Sequence, residues 1–373
     1  MTLEQLVDGA KALPLVPAHA AALYAASNKT MADLVNGNLQ GRQDVSRLIG
    51  NSPLDVMFAN HANHAAFMSN VFSLGQHELL ARTLPWVYRA YRGRGFSYDY
   101  FPVELEAWVR AVEACLPPEQ TGQIRAIYSF MLARHPDVVL LASEEKGSEA
   151  ESSPATPEPW AGMRERYVAA LVAGDSAAAL EVARPITTPE DLEHFFLQVI
   201  QPAMYAVGDR WEAGGLSVAQ EHLASAITSR VVASLSTARN VMKPWRGRAV
   251  VSAAPNEFHE LGAWMISDLL EADGWEVSYL GANTPQEDLV ELIRSRQPAV
   301  VALSVTMPFN LDRAKAIIAA VKQQPGSSPI RIIVGGRIFN TQEGLWKAVG
   351  ADAWAENAHD AVLQARGSSK QAA

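Results

Sequence analysis

A carboxylate, a histidine and a glycine follow one another at Glu257, His259 and Gly262. A carboxylate two residues before a histidine can accept the N–H of one imidazole nitrogen. That fixes the tautomer and makes the other nitrogen a better donor to a metal. Further along, Ser304 and Thr306 supply two hydroxyls, and Gly335-Gly336 supply two positions without side chains, where a backbone can approach a bound group closely. A second set lies upstream: Trp211, then Val218, then Glu221-His222 after nine intervening residues. An indole stacks on a flat group and keeps water from it, while a carboxylate accepts hydrogen bonds from hydroxyls.

The elements that must hold these residues can be read from the pattern of apolar positions. From residue 246 to 365, short β-branched runs (AVVSAA, WEVSYLGA, AVVALSV, IRIIVGG) alternate with helical stretches. Fully apolar strands of this kind predict a parallel sheet covered on both faces, a Rossmann-like, flavodoxin-like α/β domain. Ligands of such sheets sit outside the carboxyl ends of the strands, and His259, Ser304 and Gly335 all fall at those ends. Residues 160–245 predict a four-helix bundle: Met163–Val172 ends at Gly174, Ala177–Ala183 stops before Pro185, Thr187-Thr188-Pro189-Glu190 offers a capped start, and Gln220–Met242 forms a long alanine-rich last helix. Residues 143–159, SEEKGSEAESSPATPEP, are acidic, rich in Ser and Pro and poor in large apolar groups, the composition of a flexible linker. Residues 1–142 carry apolar residues at spacings of three and four, with RGRGFSYDYFP as a loop broken by Gly93, Gly95 and Pro102, and predict an all-helical domain. Residues 366–373 read as a disordered tail.

The strand-end residues resemble the signature of cobalamin-binding domains, Asp-x-His-x-x-Gly, then Ser-x-Leu, then Gly-Gly. The 41 residues between Gly262 and Ser304 match the spacing usual in that family, and the likeness runs through 248–365, LGANTP at 280–285 included. It implies that His259 is the lower axial ligand of cobalt, that Glu257 orients it, and that Gly262, Ser304, Thr306, Gly335 and Gly336 line the channel for the displaced nucleotide tail. Two positions depart from the pattern: Glu257 stands where Asp is usual, lengthening the carboxylate by one methylene, and Thr306 where Leu is usual. The upstream set resembles the Trp-x9-Glu-His motif of the CarH-type photoreceptors, which bind adenosylcobalamin and respond to light. That likeness puts Trp211 over the upper face of the corrin and Val218, Glu221 and His222 around the adenosyl group. Some CarH-type proteins follow the tryptophan with a histidine that takes the upper position after photolysis. Here the residue is Glu212, so the likeness does not carry a bis-histidine photoproduct over to this chain.

The helical region 1–142 shows no winged-helix pattern, and its 11 basic and 12 acidic residues nearly cancel, so direct contact with nucleic acid is not expected. Phe58, His61, His64, Phe67 and Phe72 share one helical stretch, and Tyr88, Tyr98 and Tyr100 interleave with Arg89, Arg92 and Arg94. Aromatic walls with arginines suit a flat conjugated molecule bearing carboxylates. The order of helical domain, acidic linker and adenosyl-capping cobalamin module is similar to that of the photocobilins, which implies biliverdin as a second chromophore. The same residues would equally make a packed aromatic core, and a helical histidine could instead hold haem iron. Cys115, the one cysteine, is read as a small buried thiol rather than a bilin attachment point.

The function classes left open are few. With 49% apolar and 19% charged residues the chain is globular, and no apolar run is long enough to span a membrane. A single cysteine forbids an internal disulfide and fits a reducing, cytoplasmic setting. A region of 142 residues is too short for the (β/α)8 barrel, ~250 residues long, of a cobalamin mutase. The expectation is therefore a light-sensing binding protein rather than an enzyme. Its partner would be a second copy of itself, in a light-dependent oligomer, or a downstream signalling protein. The alternative is a corrinoid carrier of a methyltransferase system.

Overall fold

A computed structural model gives the fold of residues 1–144, 159–235, 244–323 and 329–367. The linker expected at 143–159, the end of the last bundle helix and most of the tail at 366–373 lie outside these described residues. The described chain forms two compact units: residues 1–144 with Glu212–Gly215, and residues 159–211 with 216–367.

The first unit is helical throughout: α1 (Leu3–Lys11), α2 (Ala18–Gln40), α3 (Val45–Ile49), α4 (Leu54–Leu74), α5 (His77–Gly93), α6 (Tyr100–Cys115) and α7 (Gly122–Ser143). Thr2 opens α1 with a capping box closed by Gln5. α2 lies between α4 and α6, and α5 packs on α1 and α7. The loop expected to run through Pro102 ends sooner, because α6 starts at Tyr100. Pro102 falls in the first turn, whose N–H groups have no partner within the helix, so a missing donor costs nothing there. Tyr24, Met31, Phe96, Tyr100, Trp108 and Tyr128 are fully buried. The aromatic stripe is thus the core of this unit.

The second unit begins with α8 (Trp160–Ala173), α9 (Ser176–Ala183) and α10 (Pro189–Phe195). The Thr188 side chain accepts from Asp191 N at the start of α10, and Pro189 holds the first helical position as the sequence suggests. α10 runs through a π-helical turn at Phe196–Ile200 into α11 (Gln201–Glu212). α12 (Val218–Ser234) follows, with Ser217 and Gln220 forming a capping box. The sheet strands are β1 (Gly247–Ala253), β2 (Trp275–Tyr279), β3 (Val300–Ser304), β4 (Arg331–Gly335) and β5 (Ala353–Ala355). They are all parallel, in the order β2-β1-β3-β4-β5. Helices α13 (Leu261–Ala272), α14 (Gln286–Arg296), α15 (Leu311–Lys322) and α16 (Leu345–Ala348) connect the strands, and α17 (Ala358–Arg366) follows β5. One apolar core joins both layers: Phe195, Phe196 and Val199 share it with Leu269, Ala361 and Val362. The order reverses between β1 and β3, so the crevice of this sheet opens at the carboxyl ends of those two strands.

Candidate functional site

The loop after β1 carries the candidate metal ligand. Asn256 adopts φ +64°, a left-handed backbone that asparagine tolerates better than most residues, and this turn brings Glu257 under the sheet edge. Glu257 is fully buried. Its Oε1 accepts from His259 Nδ1 at 2.5 Å and from His259 N at 3.2 Å. Its Oε2 accepts from Thr306 N and Met307 N, both at 2.9 Å, and from Asn310 Nδ2 at 3.2 Å. Burial alone would raise the Glu257 carboxyl. The bond and charge of His259 and the two backbone donors outweigh it and hold the group below its ordinary value, so it is ionised.

With Nδ1–H given to Glu257, His259 keeps a lone pair on Nε2, and its side chain stays 55% exposed. Burial lowers its basicity, but Glu257, and then the charge of Glu221, push it above the usual imidazole value. A basic, oriented, exposed imidazole backed by a buried carboxylate is the donor set that a cobalt lower ligand needs, so these residues fit a corrinoid.

The remaining strand-end residues meet at the same edge. Ser304, at the end of β3, pairs in register with Ala253 and Gly335. A Cβ on Gly262 would lie 3.7 Å from Ser304 Oγ, an ordinary contact. Gly336 has φ +98°, and a Cβ there would meet Val305 O at 2.2 Å, so the turn itself demands glycine. Thr306 enters through its amide rather than its hydroxyl: the usual leucine would make the same bond to the carboxylate. The departure from the family pattern at this position therefore leaves the support of His259 intact.

On the helical side, Trp211 sits in the last turn of α11, partly buried against the common core. Val218 is the first residue of α12 and is exposed. Glu221 accepts from Ser225 Oγ at 2.9 Å and pairs through Oε2 with His222 Nδ1 at 2.7 Å. Tyr205, Val218, Leu223 and Phe258 are exposed apolar side chains of this unit.

Sequence reasoning missed the asparagines. Asn283 Oδ1 accepts from Asn256 N at 2.9 Å, and Asn310 Nδ2 donates to Asn256 O at 3.1 Å as well as to Glu257. Asparagine stands after each of the first three strands, within NEF, GANT and PFN, and that recurrence was the available signal.

The residues proposed for a bilin divide into two groups. His61 is buried with both nitrogens engaged, Nδ1 donating to Asn36 Oδ1 and Nε2 accepting from Tyr100 OH at 2.7 Å. His64 Nε2 meets Tyr128 OH at 3.0 Å, and its ring stacks on Trp108. Neither nitrogen of His61 is left for haem iron or a pigment. Tyr88 is buried against Phe101 and bonds to His135, and Arg89 pairs with Glu212, the residue after Trp211, which is itself buried. Arg92, Arg94 and Tyr98 lie nearer the surface, with the Arg92 guanidinium over the Tyr98 ring. Burial pushes the Cys115 thiol up, away from a reactive thiolate.

Comparison with known proteins now bears on this geometry. Two models of B12 binding domains match the chain, one over residues 247–363 and the other over 163–236. CarH of Myxococcus xanthus, an HTH-type transcriptional repressor, is 34% identical over 215 residues, spanning 55% of this chain and 70% of CarH. The chain belongs to the CarH-like family of B12-binding proteins. Dimethylamine corrinoid protein 3 of Methanosarcina acetivorans is 27% identical over 189 residues, 50% of this chain and 86% of that protein. Among solved structures, the monomethylamine corrinoid protein of Methanosarcina barkeri covers 56% of this chain and is itself 98% covered, at 20% identity and a TM-score of 0.49. Both B12 models begin beyond residue 162, so this CarH-like chain joins the family's binding module to a helical unit that neither model spans. Among the described residues no helix is long and apolar enough to cross a membrane.

Proposed function

We propose that this CarH-like chain is a photoreceptor that holds adenosylcobalamin between His259 and Trp211 and catalyses no reaction of its own. Adenosylcobalamin supplies, when bound, a cobalt–carbon bond that light can break. The protein's part is binding and readout: Glu257 fixes His259 Nε2 toward the metal, Trp211 keeps water from the upper face, and Glu221 with His222 receives the ribose hydroxyls. What supports this reading is the buried Glu257 carboxylate accepting from His259 Nδ1 at 2.5 Å at the carboxyl ends of the strands, in a chain whose residues 163–236 and 247–363 both match B12 binding domains. Loss of the upper group removes the support on which α11 and the start of α12 rest, and repacking there changes self-association.

The test is gel filtration of the adenosylcobalamin-loaded protein before and after green light. A light-dependent change of elution volume is expected. Trp211→Ala is expected to keep cobalamin affinity within about threefold of the parent yet lose that change; an identical response in both would remove Trp211 from the mechanism. The likeness to corrinoid carriers favours a second reading, a methyl-group carrier. A carrier would be isolated with methylcobalamin and would show no light-dependent elution. The expectation that the chain avoids nucleic acid is withdrawn, because two relatives are HTH-type transcriptional repressors. DNA retardation in the dark and after light measures that output directly.

For a second chromophore, the two engaged nitrogens of His61 and the bonded Nε2 of His64 point to the surface side of the aromatic cluster. Biliverdin would present its carboxylates to Arg92 and Arg94 and a ring face to Tyr98. Red absorbance that survives gel filtration in the parent and is lost in Arg92→Ala/Arg94→Ala is the expected result. Pigment retained by that variant would refute the assignment.

A further inference from the structure

Arg337 follows directly on Gly335-Gly336 and opens a short 3-10 turn, Arg337–Asn340, anchored by the buried Ile338 and Phe339. Its guanidinium reaches back to α11. Nη2 donates to Asp209 Oδ1 at 3.3 Å, and the group lies 5.2 Å from the centre of the Tyr205 ring. A Cβ on Gly208 would lie 4.0 Å from Nη1, an ordinary contact, so the guanidinium lies along this face of the helix. Tyr205, Gly208 and Asp209 share one helical face by their spacing, and Trp211 stands in the next half-turn.

The other end of this helix is held differently. Phe195, Phe196, Val199 and Ile200, at the π-helical turn, are buried in the core shared with α13 and α17, and His359 pairs with Glu193 at 2.8 Å. The helix bearing Trp211 is therefore fixed by apolar burial at its start and gripped by a half-exposed ion pair near its end. Pairs of that exposure contribute little to stability, and one reinforced by an aromatic face contributes somewhat more. A contact of that strength can be broken and remade without unfolding the module.

We propose that Arg337 is a positioning residue, a latch that holds the last turn of α11, and with it Trp211, in the capping position. The inference rests on the reading of Trp211 as the cap of the upper face. It adds a coupling: the strand-end loop expected to take the nucleotide tail also grips the cap helix, so seating the tail and closing the cap become one event.

Hydrogen exchange of residues 201–211, in the full chain without cofactor, tests the latch apart from the capping reading. Asp209→Asn and Arg337→Gln are each expected to speed exchange there about three- to tenfold while leaving β4 and α17 unchanged. The swapped pair Asp209→Arg/Arg337→Asp is expected to recover most of the loss. Exchange equal to the parent in both single variants, or a swap in which the two losses multiply, would overturn the latch. Release of adenosylcobalamin is the second readout, expected about three- to tenfold faster in each single variant. Faster exchange with unchanged release would show that the grip does not serve the cap. If the parent itself fails to bind adenosylcobalamin, the capping reading fails, and the exchange result still decides whether Arg337 holds α11.

Discussion

Glu257→Gln is expected to lower cobalamin affinity about 10–100-fold, the usual cost of losing the partner that orients a metal-binding histidine, and to destabilise the second unit by on the order of 3 kcal/mol. The reason lies in the donor count around one buried carboxylate. Its two oxygens accept from His259 Nδ1, His259 N, Thr306 N, Met307 N and Asn310 Nδ2. An ionised carboxylate has four lone-pair directions and no proton, so it can serve such a set; glutamine has one oxygen and an NH2 that donates. Whichever way the amide turns, it faces either His259 or the β3 loop donors with a donor of its own. Buried unpaired donors cost roughly 1–3 kcal/mol each, and a misdirected His259 forfeits the metal bond. Glu257→Asp restores the usual family residue and keeps the charge, so it should cost much less. Titration with hydroxocobalamin and urea denaturation of the three proteins checks both halves of the expectation. Affinity within twofold of the parent in Glu257→Gln would show that His259 does not need its carboxylate.

That site was legible in unequal parts. The strands β1, β3 and β4 could be read because their interiors are runs of small and β-branched apolar residues, and β2 because Trp275, Val277 and Tyr279 alternate with polar residues; strand ends locate ligand chemistry without any contact being known. β5 escaped notice: three residues, AWA, make no run. Residue types at Glu257, His259, Trp211 and Glu221-His222 announced their chemistry by spacing. The partners that make Glu257 work come instead from backbone amides and an asparagine some fifty residues away, and no local pattern records them. Arg337 and Asp209 are 128 residues apart; either alone reads as a solvated charge. In the helical unit the same limit had the opposite effect. His61 and His64 look like ligands along α4, and only folding shows that Asn36 and Tyr100 take both nitrogens of His61 and Tyr128 takes Nε2 of His64.

The polar centre of that helical unit should make its stability depend on pH in both directions. Glu104 is buried on α6, accepts from Trp108 Nε1 at 3.2 Å, and has His61 Nε2 4.0 Å away. Burial raises its carboxyl to about 8, with the Trp108 bond pulling slightly the other way. A carboxyl raised on folding stabilises fully below its unfolded value, near 4.5, and loses that contribution as pH climbs toward 8. Burial lowers His61 to about 4, so its contribution is complete above the unfolded value of 6.5 and lost as pH falls toward 4. His64, pushed down to about 3 by burial and by His61, acts with the same sign. Between 4.5 and 6.5 the imidazoles outweigh the single carboxyl, and above 6.5 only Glu104 still titrates. Stability of this unit should therefore peak near pH 6.5 and fall by up to about 1.4 kcal/mol per pH unit toward pH 8. Hydrogen exchange of α4 and α6 in the full chain, corrected for intrinsic rates, reports it. Glu104→Gln is expected to abolish the alkaline fall and keep the acid one. A parent whose exchange stays flat from pH 6.5 to 8 would mean that Glu104 is ionised in the folded protein, with His61 or a solvent path carrying the compensating charge.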